Sequence, residues 1–132
     1  MLRVFSIALM VTVLFASCSS ESADLKLVQQ LAAGEYTVQL LSDSGTMKNG
    51  TGDFTLEFRK TSDNQLVDVG SVEVAPVMEM TGMAPMMGTA TVTPTDTPGR
   101  YQATGTLTMA GLWKLNVRFG SGQSVRFSVN AE

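Results

Sequence analysis

The stretch "LWKLNVRFGSGQSVRFSVN" (residues 112–130) carries the pattern on which most of the chain is built. Apolar and polar side chains alternate on both sides of its Gly-Ser-Gly sequence. Such alternation places the apolar side chains of each half on one face of an extended chain. A glycine-rich break between two segments of this kind is typical of a β-hairpin. We therefore predict two antiparallel strands, residues 112–119 and 124–130, that each bury one face.

The same two-residue period recurs from residue 35 onward. Turn sequences such as Asn49-Gly50 and Pro98-Gly99 separate the alternating segments. A series of short one-sided strands with turns between them is typical of an antiparallel β-sandwich, so we predict an all-β domain of about seven strands. The predicted strands are residues 35–41, 52–60, 70–80, 88–94, 99–109, 112–119 and 124–130.

The N-terminus has the pattern of an export signal. Arg3 precedes an apolar run, residues 4–15, which is too short to span a bilayer but fits the centre of a signal peptide. The following "ASC" (16–18) is similar to the end of a bacterial lipobox, which would make Cys18 the lipidated first residue of the mature protein. The alternative is an ordinary cleaved signal with an accidental cysteine. Lipidation is favoured because a lone cysteine in an exported chain has no internal disulfide partner.

The predicted anchor sets the expected layout and location. Residues 1–17 form the signal peptide, residues 18–34 a lipidated tether, and residues 35–132 the sandwich domain. Ser19 after the lipidated cysteine is typical of lipoproteins sorted to the outer membrane. We therefore expect the protein in the cell envelope, anchored to the outer membrane and facing the periplasm.

The predicted tether contains a short helical pattern. Leu25, Val28 and Leu31 recur at helical spacing, and Gly34 is suited to end a helix. We expect a short helix here that leads from the anchor to the first strand.

Composition argues against several classes of function. Without residues 1–17 the chain has eight basic and twelve acidic side chains, a formal charge of −4, and its basic residues form no stripe for nucleic acid. The chain contains no histidine, which excludes Ser-His-Asp and Cys-His catalysis and zinc sites of the histidine type. Glu57 and Glu73 fall on the predicted solvent face. We predict no enzymatic activity and no nucleic-acid partner.

Methionine is concentrated in one stretch. "MEMTGMAPMMG" (78–88) contains five of the nine methionines in the chain. One interpretation is core filling, because methionine adapts to irregular gaps between other side chains. This interpretation is favoured for the methionines with inward parity, which are Met78, Met80 and Met109.

Met83, Met86 and Met87 require a different interpretation. Glycine and proline interrupt regular structure around them, so we predict that they lie in a loop. The loop could be an apolar lid over the end of the sandwich, a surface that docks a protein partner, or a set of metal ligands.

Strand direction predicts where these side chains gather. Successive antiparallel strands reverse direction, so the loops that contain Met47, Met109 and residues 79–87 all fall at one end of the domain. We expect the tether to join the domain at the opposite end. Core packing alone does not require this segregation of the methionines.

Clustered thioethers without histidine have a specific chemical use. Methionine sulfur is a soft, neutral ligand that suits Cu(I), and by the same argument Ag(I), and it forms no disulfides in an oxidising compartment. We predict that Met83, Met86 and Met87 are the primary ligands. The remaining candidates to complete the set are Met80, Met109, Met78 and Met47.

Three segments together resemble the YtkA-like domain family, which is related to FixH. They are "APMMG" (84–88), "PGRY" (98–101) and "MAGLWKLNVRF" (109–119), and the resemblance covers about residues 35–130. It implies an immunoglobulin-like sandwich on the outer side of a bacterial membrane. Such domains also occur in periplasmic adaptors of heavy-metal efflux systems. Family members often have a histidine after the Met-Gly pair, where this chain has Thr89.

The combined prediction is a lipid-anchored, immunoglobulin-like β-sandwich that handles Cu(I), with metal-efflux or oxidase-assembly proteins as partners. The alternative is an envelope interaction module without metal, whose methionine-rich loop docks an apolar protein surface.

Overall fold

The computed structural model describes residues 24–132; the predicted signal peptide, Cys18 and the first part of the predicted tether lie outside this range. No helix within the described range has the length and apolar character needed to cross a membrane. The nine strands of this range are β1 (Lys26–Ala33), β2 (Tyr36–Ser42), β3 (Gly50–Lys60), β4 (Val72–Met78), β5 (Met86–Met87), β6 (Thr89–Pro94), β7 (Arg100–Leu107), β8 (Gly111–Phe119) and β9 (Gln123–Ala131).

The hairpin predicted near the C-terminus is formed by β8 and β9. Its antiparallel register pairs Trp113 with Val129 and Leu115 with Phe127. Because side chains alternate along each strand, the apolar residues of both strands share one face. All four of these side chains are buried.

The strands form two antiparallel sheets. The first has the order β1-β2-β3-β7-β6 and the second the order β5-β4-β8-β9. The predicted all-β sandwich is therefore confirmed, with nine strands in the described range in place of about seven. The two additional strands are β1 and β5.

Aromatic side chains join the inner faces of the two sheets. The ring centroids of Phe58, on β3, and Phe119, on β8, lie 4.8 Å apart. Tyr101 meets Phe58 edge-on at 5.4 Å, and Tyr36 meets Phe119 edge-on at 5.9 Å. Each such pair adds about 0.5–1.5 kcal/mol to the stabilisation from burial. Trp113, also on β8, is fully buried in the same core.

Replacement of this tryptophan should show how far stability depends on the core. We expect Trp113→Ala to lower the free energy of unfolding by about 3–5 kcal/mol, because it removes a large side chain and leaves a cavity. Chemical denaturation measures this loss. Leu112→Ala is the matched control, because the side chain of Leu112 is 57% exposed on the other face of the same strand. A loss below about 1 kcal/mol for Trp113→Ala would contradict the assigned packing.

The predicted helix in the tether is wrong, because residues 26–33 form β1 and pair with β2. The register shifts between Leu27 and Gln29, which marks a β-bulge. A bulge inserts one extra residue and so changes the side-chain period locally. Val28 and Leu31 therefore both pack against the core although they are three residues apart. Their helix-like spacing results from a bulged strand.

This extra strand also reverses the direction from which the chain reaches the domain. Lys26, at the start of β1, pairs with Ser42, at the end of β2. The following strand, β3, begins at the same end, where Gly50 pairs with Leu107 at the end of β7. The expectation that the tether joins opposite the methionines is therefore wrong, because both lie at this end.

Glu57 does not lie in solvent as the alternation predicts; it is 4% exposed, whereas Glu73 is exposed. Arg100 lies directly opposite Glu57 on β7, and its Nη2 is 2.8 Å from Glu57 Oε1. Arg59, two residues along β3, places its Nη2 2.9 Å from Glu57 Oε2. The two arginine side chains cover the carboxylate, because long basic side chains lie along the sheet and keep their charged ends near water.

A tyrosine fixes the loop between β3 and β4. The Tyr101 hydroxyl lies 3.0 Å from Asp68 Oδ1 and 2.9 Å from the Gly70 carbonyl oxygen. Asp68 Oδ1 also accepts a hydrogen bond from the Gly70 N–H at 2.8 Å. The Gly70 amide and then the Tyr101 hydroxyl lower the pKa of Asp68 below its usual 3.8. Burial, followed by the contact with Asp68, raises the pKa of Tyr101 above its usual 10.0.

These shifts predict the pH dependence of stability. A carboxyl group whose pKa is lower in the folded state stabilises the fold at pH values above its unfolded-state pKa. This contribution is lost as the pH falls through the folded-state pKa. We expect Asp68→Asn to flatten the loss of thermal stability between about pH 5 and pH 2. The raised pKa of Tyr101 stabilises the fold at pH values below the pKa of tyrosine in the unfolded chain. This contribution is lost as the pH rises through the pKa of Tyr101 in the folded state. Tyr101→Phe should remove that alkaline loss. Unchanged acid dependence of melting in Asp68→Asn would contradict the first expectation.

Candidate methionine-rich site

The strand directions bring all seven methionines of the described range to one end of the sandwich. Met78 ends β4, Met86 and Met87 form β5, and Met109 lies between β7 and β8. Met47 precedes β3 and forms a bridge with Ala131 at the end of β9. Met80 and Met83 lie in the loop that follows β4. We call this end of the sandwich, formed by residue 47, residues 78–87 and residue 109, the methionine end.

Burial divides these seven side chains into three groups. Met47 and Met78 are 7% and 6% exposed and belong to the core. Met80 and Met86 are half-buried and pack against it. The exposed group is Met83 at 68%, Met87 at 62% and Met109 at 45%.

The core-filling interpretation therefore applies to Met78 and in part to Met80, but it is wrong for Met109. The two-residue period predicts an inward side chain at position 109. However, β7 ends at Leu107, so the alternation no longer holds two residues further on.

The sequence predicts a loop for Met86 and Met87, but they form a two-residue strand. Met86 pairs with Met78, and Met87 pairs with Val77. Adjacent residues of a strand point to opposite faces. The structure thus brings Met86 together with Met78, where the Thr108 hydroxyl lies 2.9 Å from the Met86 sulfur. It directs Met87 to the other side, so the three predicted primary ligands do not all face one point in this arrangement.

Close backbone contacts hold the loops of the methionine end over Trp113. Its indole N–H donates to the Met109 carbonyl at 2.9 Å. The Gly88 N–H donates to the Pro76 carbonyl at 3.0 Å. A Cβ at Gly88 would lie 2.7 Å from the Thr106 carbonyl oxygen and 3.3 Å from the Trp113 ring, so a larger residue does not fit. A Cβ at Gly111 would lie 3.0 Å from the Met78 methyl group. The tryptophan therefore lies directly beneath the loops that carry the methionines.

The loop between β4 and β5 has few internal contacts. The Met83 N–H donates to the Met80 carbonyl at 3.2 Å and closes a turn. An ion pair joins Glu79 Oε2 to Lys114 Nζ at 3.1 Å, with the Glu79 side chain 62% exposed. Exposed ion pairs contribute little to stability. The exposed thioether of Met83 thus lies on a segment held by one turn and a weak surface contact.

The commonest metal ligands are not clustered in the part of the chain that the structure describes, where no group of three or more histidine, cysteine, aspartate or glutamate residues is placed to hold a metal ion. A groove of about 1030 Å³ beside β4 has Met87 on its wall, but its other walls include Glu73, Arg118 and Arg126. The groove combines these charged side chains with valines and alanines, and Met87 is the one methionine on its wall, so it does not join the thioethers.

Two exposed leucines at this end were not singled out from the sequence. Leu112, 57% exposed, is the second residue of β8. Its outward position follows from the inward parity of Trp113, so the signal was present. Leu27, 51% exposed, is the second residue of β1, whose existence the helix prediction concealed. Thr108 was also missed, because nothing in the sequence links it to the Met86 sulfur.

Comparison with solved structures defines the class of fold. The crystal structure of the Lin-41 filamin domain matches with a TM-score of 0.53 at 13% sequence identity. The match covers 72% of this chain and 91% of that domain. At this identity the likeness shows the fold alone, which is an immunoglobulin-like β-sandwich.

The family follows from a separate comparison. Residues 30–118, well over half of the chain, match the model of the YtkA-like family. The protein belongs to this family, so the resemblance drawn from the three sequence segments is confirmed. A comparison with curated proteins gives no match.

Proposed function

We propose that this protein is a lipid-anchored, periplasm-facing protein that handles Cu(I) at its methionine end and catalyses no reaction. The observation that carries the proposal is the location of all seven described methionines at one end, three of them exposed. Exposed methionines are unusual, because the side chain is apolar and gains stability from burial.

The chemistry of the thioether favours this ion. Cu(I) prefers soft sulfur ligands, whereas Zn(II) and Cu(II) are better served by imidazole or carboxylate. Ag(I) shares the softness of Cu(I) and is expected to bind to the same groups. A thioether, unlike a thiol, forms no disulfide in an oxidising compartment.

The burial groups indicate how a site would form. Met83 and Met109 are exposed and can bind an ion without disturbing the core. The half-buried Met80 and Met86 lie beside the core and would supply further sulfur ligands to that ion. A site that uses Met87 as well requires β5 to separate from β4. This opening breaks the two-residue pairing of Met86 and Met87 with Met78 and Val77, next to the hydrogen bond from the Gly88 N–H to the Pro76 carbonyl.

A protein with this arrangement would serve as a Cu(I) chaperone or buffer. The proposed partners are metal-efflux or oxidase-assembly proteins, since domains of this family occur in efflux adaptors. The absence of histidine from the whole chain supports the assignment of a binding function over catalysis.

A triple substitution tests the metal proposal. Met83→Leu, Met86→Leu and Met87→Leu together retain apolar volume, and core swaps of this kind usually cost less than about 1.5 kcal/mol each. We expect the triple variant to stay folded and to lose most of its Cu(I) affinity in a competition assay with a chromophoric chelator. Emission of Trp113, the one tryptophan in the chain, provides a second readout beneath the same loops.

The sequence offers Met47 as a further ligand, but the structure buries it in the core at the bridge with Ala131. Met47→Leu is therefore the matched control and should not alter Cu(I) binding. Zn(II) should bind weakly to both variants and to the parent. A parent protein that binds no Cu(I), or a folded triple variant that binds as well as the parent, overturns the proposed function. Docking of an apolar partner, by contrast, would survive the leucine substitutions.

The lipid anchor is tested separately. Cys18→Ala should leave the precursor unprocessed or release a soluble protein, because no thiol remains for lipid attachment. Membrane fractionation and intact mass of the mature protein measure this outcome. A normally processed, membrane-held Cys18→Ala protein would contradict the lipobox assignment.

A further inference from the structure

The apolar surface of this domain is unevenly distributed. The large hydrophobic side chains that are exposed in the described range are few, and all of them lie at the methionine end. Each is in a loop at this end or within two residues of a strand terminus that faces it. They are Leu27, Met83, Met87, Met109 and Leu112.

The opposite end has a different surface. Its loops join β1 to β2, β3 to β4, β6 to β7 and β8 to β9. Apart from Pro94 and Pro98, the exposed side chains in these loops are polar or charged and include Glu35, Asp63, Asn64, Asp96 and Ser121. The domain therefore has one apolar end and one polar end.

The chain reaches the domain at its apolar end. β1 begins at Lys26, whose register partner Ser42 lies at the methionine end. Covalent geometry limits the distance from Cys18 to Lys26 to about 29 Å when the chain is fully extended. A nine-residue strand such as β8 is itself about 30 Å long. An anchor at Cys18 would thus hold the methionine end within about 29 Å of the bilayer, whereas the polar end could lie a further strand length away.

We infer that the methionine end rests on the membrane that holds the lipid anchor, with its exposed apolar side chains in the interfacial layer of the bilayer. The inference rests on the lipid-anchor part of the proposed function. It does not rest on the copper part, with which it shares the exposed side chains of Met83, Met87 and Met109. Apolar side chains gain stability in the interfacial region in proportion to the area they bury there.

Charge does not drive this contact. The methionine end carries Lys26, Lys48 and Lys114 together with the acidic residues Asp24, Asp43, Glu79 and Glu132, so it has no excess of basic side chains that would attract anionic lipid. The occupant is therefore a neutral lipid surface, and the contact should withstand high salt, which screens exposed charges.

Fluorescence at two positions tests the orientation. The mature lipidated protein is reconstituted in phosphatidylcholine vesicles, with an environment-sensitive dye on Met83→Cys or on Ser121→Cys at the opposite end. Lipidation blocks the thiol of Cys18, so only the introduced cysteine reacts with the dye. We expect blue-shifted emission and quenching by brominated lipid at position 83, neither at position 121, and no change at high salt.

Further substitutions separate apolar contact from mere proximity. The triple serine variant is made in the Met83→Cys protein and combines Met87→Ser, Met109→Ser and Leu112→Ser. It should reduce the quenching at position 83 to the level at position 121. The matched control replaces Met87 and Met109 with leucine and should retain the quenching. All three positions are exposed, so the fold is not expected to depend on them.

Several results would overturn the inference. Equal or greater quenching at position 121 would reverse the orientation, and protection of position 83 in cells but not in pure lipid vesicles would assign the surface to a protein partner. A mature chain without lipid on Cys18, determined by mass spectrometry, would remove its basis. A parent protein that binds no Cu(I), together with a Met83→Cys protein that shows the expected quenching, would refute only the copper proposal.

Discussion

The contact between Phe58 and Phe119 joins the inner faces of the two sheets, and each sheet is stable because the other covers its apolar face. Each ring belongs to a different sheet, and each touches a further tyrosine, so the aromatic group extends across the interior. A sheet with one apolar face is stable only when that face is covered. The alternation along β3 and β8 gives each sheet an apolar face that covers the other. The residues between these apolar positions then lie on the outer faces of the sheets.

This constraint explains which parts of the fold were predictable. Strands such as β8 and β9 alternate without interruption, so their faces and approximate bounds follow from the sequence. β1 was missed because a bulge at Val28 changes its period and makes it resemble a helix. β5 was missed because two residues have no period and its pairing with β4 is a tertiary contact. The burial of Glu57 was hidden because alternation does not reveal which neighbouring side chains extend over a residue.

The candidate site was predictable to a similar degree. Reversal of direction in successive strands correctly assigns Met47, Met109 and the loop after β4 to one end. It does not determine exposure, since that depends on where each strand stops; Met109 is exposed because β7 ends before it. The faces of Met86 and Met87 likewise depend on β5. The end at which the chain enters the domain was predicted wrongly, because the single additional strand β1 places the start of the domain at the methionine end.

The hydrogen bond from Gly88 to Pro76 has a consequence for the solubility of the protein. The carbonyl of Pro76 points away from β8 toward β5, and in an antiparallel strand the nitrogen of the same residue points to the same side. Beyond Pro76, toward Val72, no further strand of the described range pairs with this side of β4. Gly88 occupies the position opposite Pro76, and proline has no N–H to donate, so the free edge that remains for a strand from another molecule is only residues 72–75. Short free edges of this kind are poor templates for aggregation.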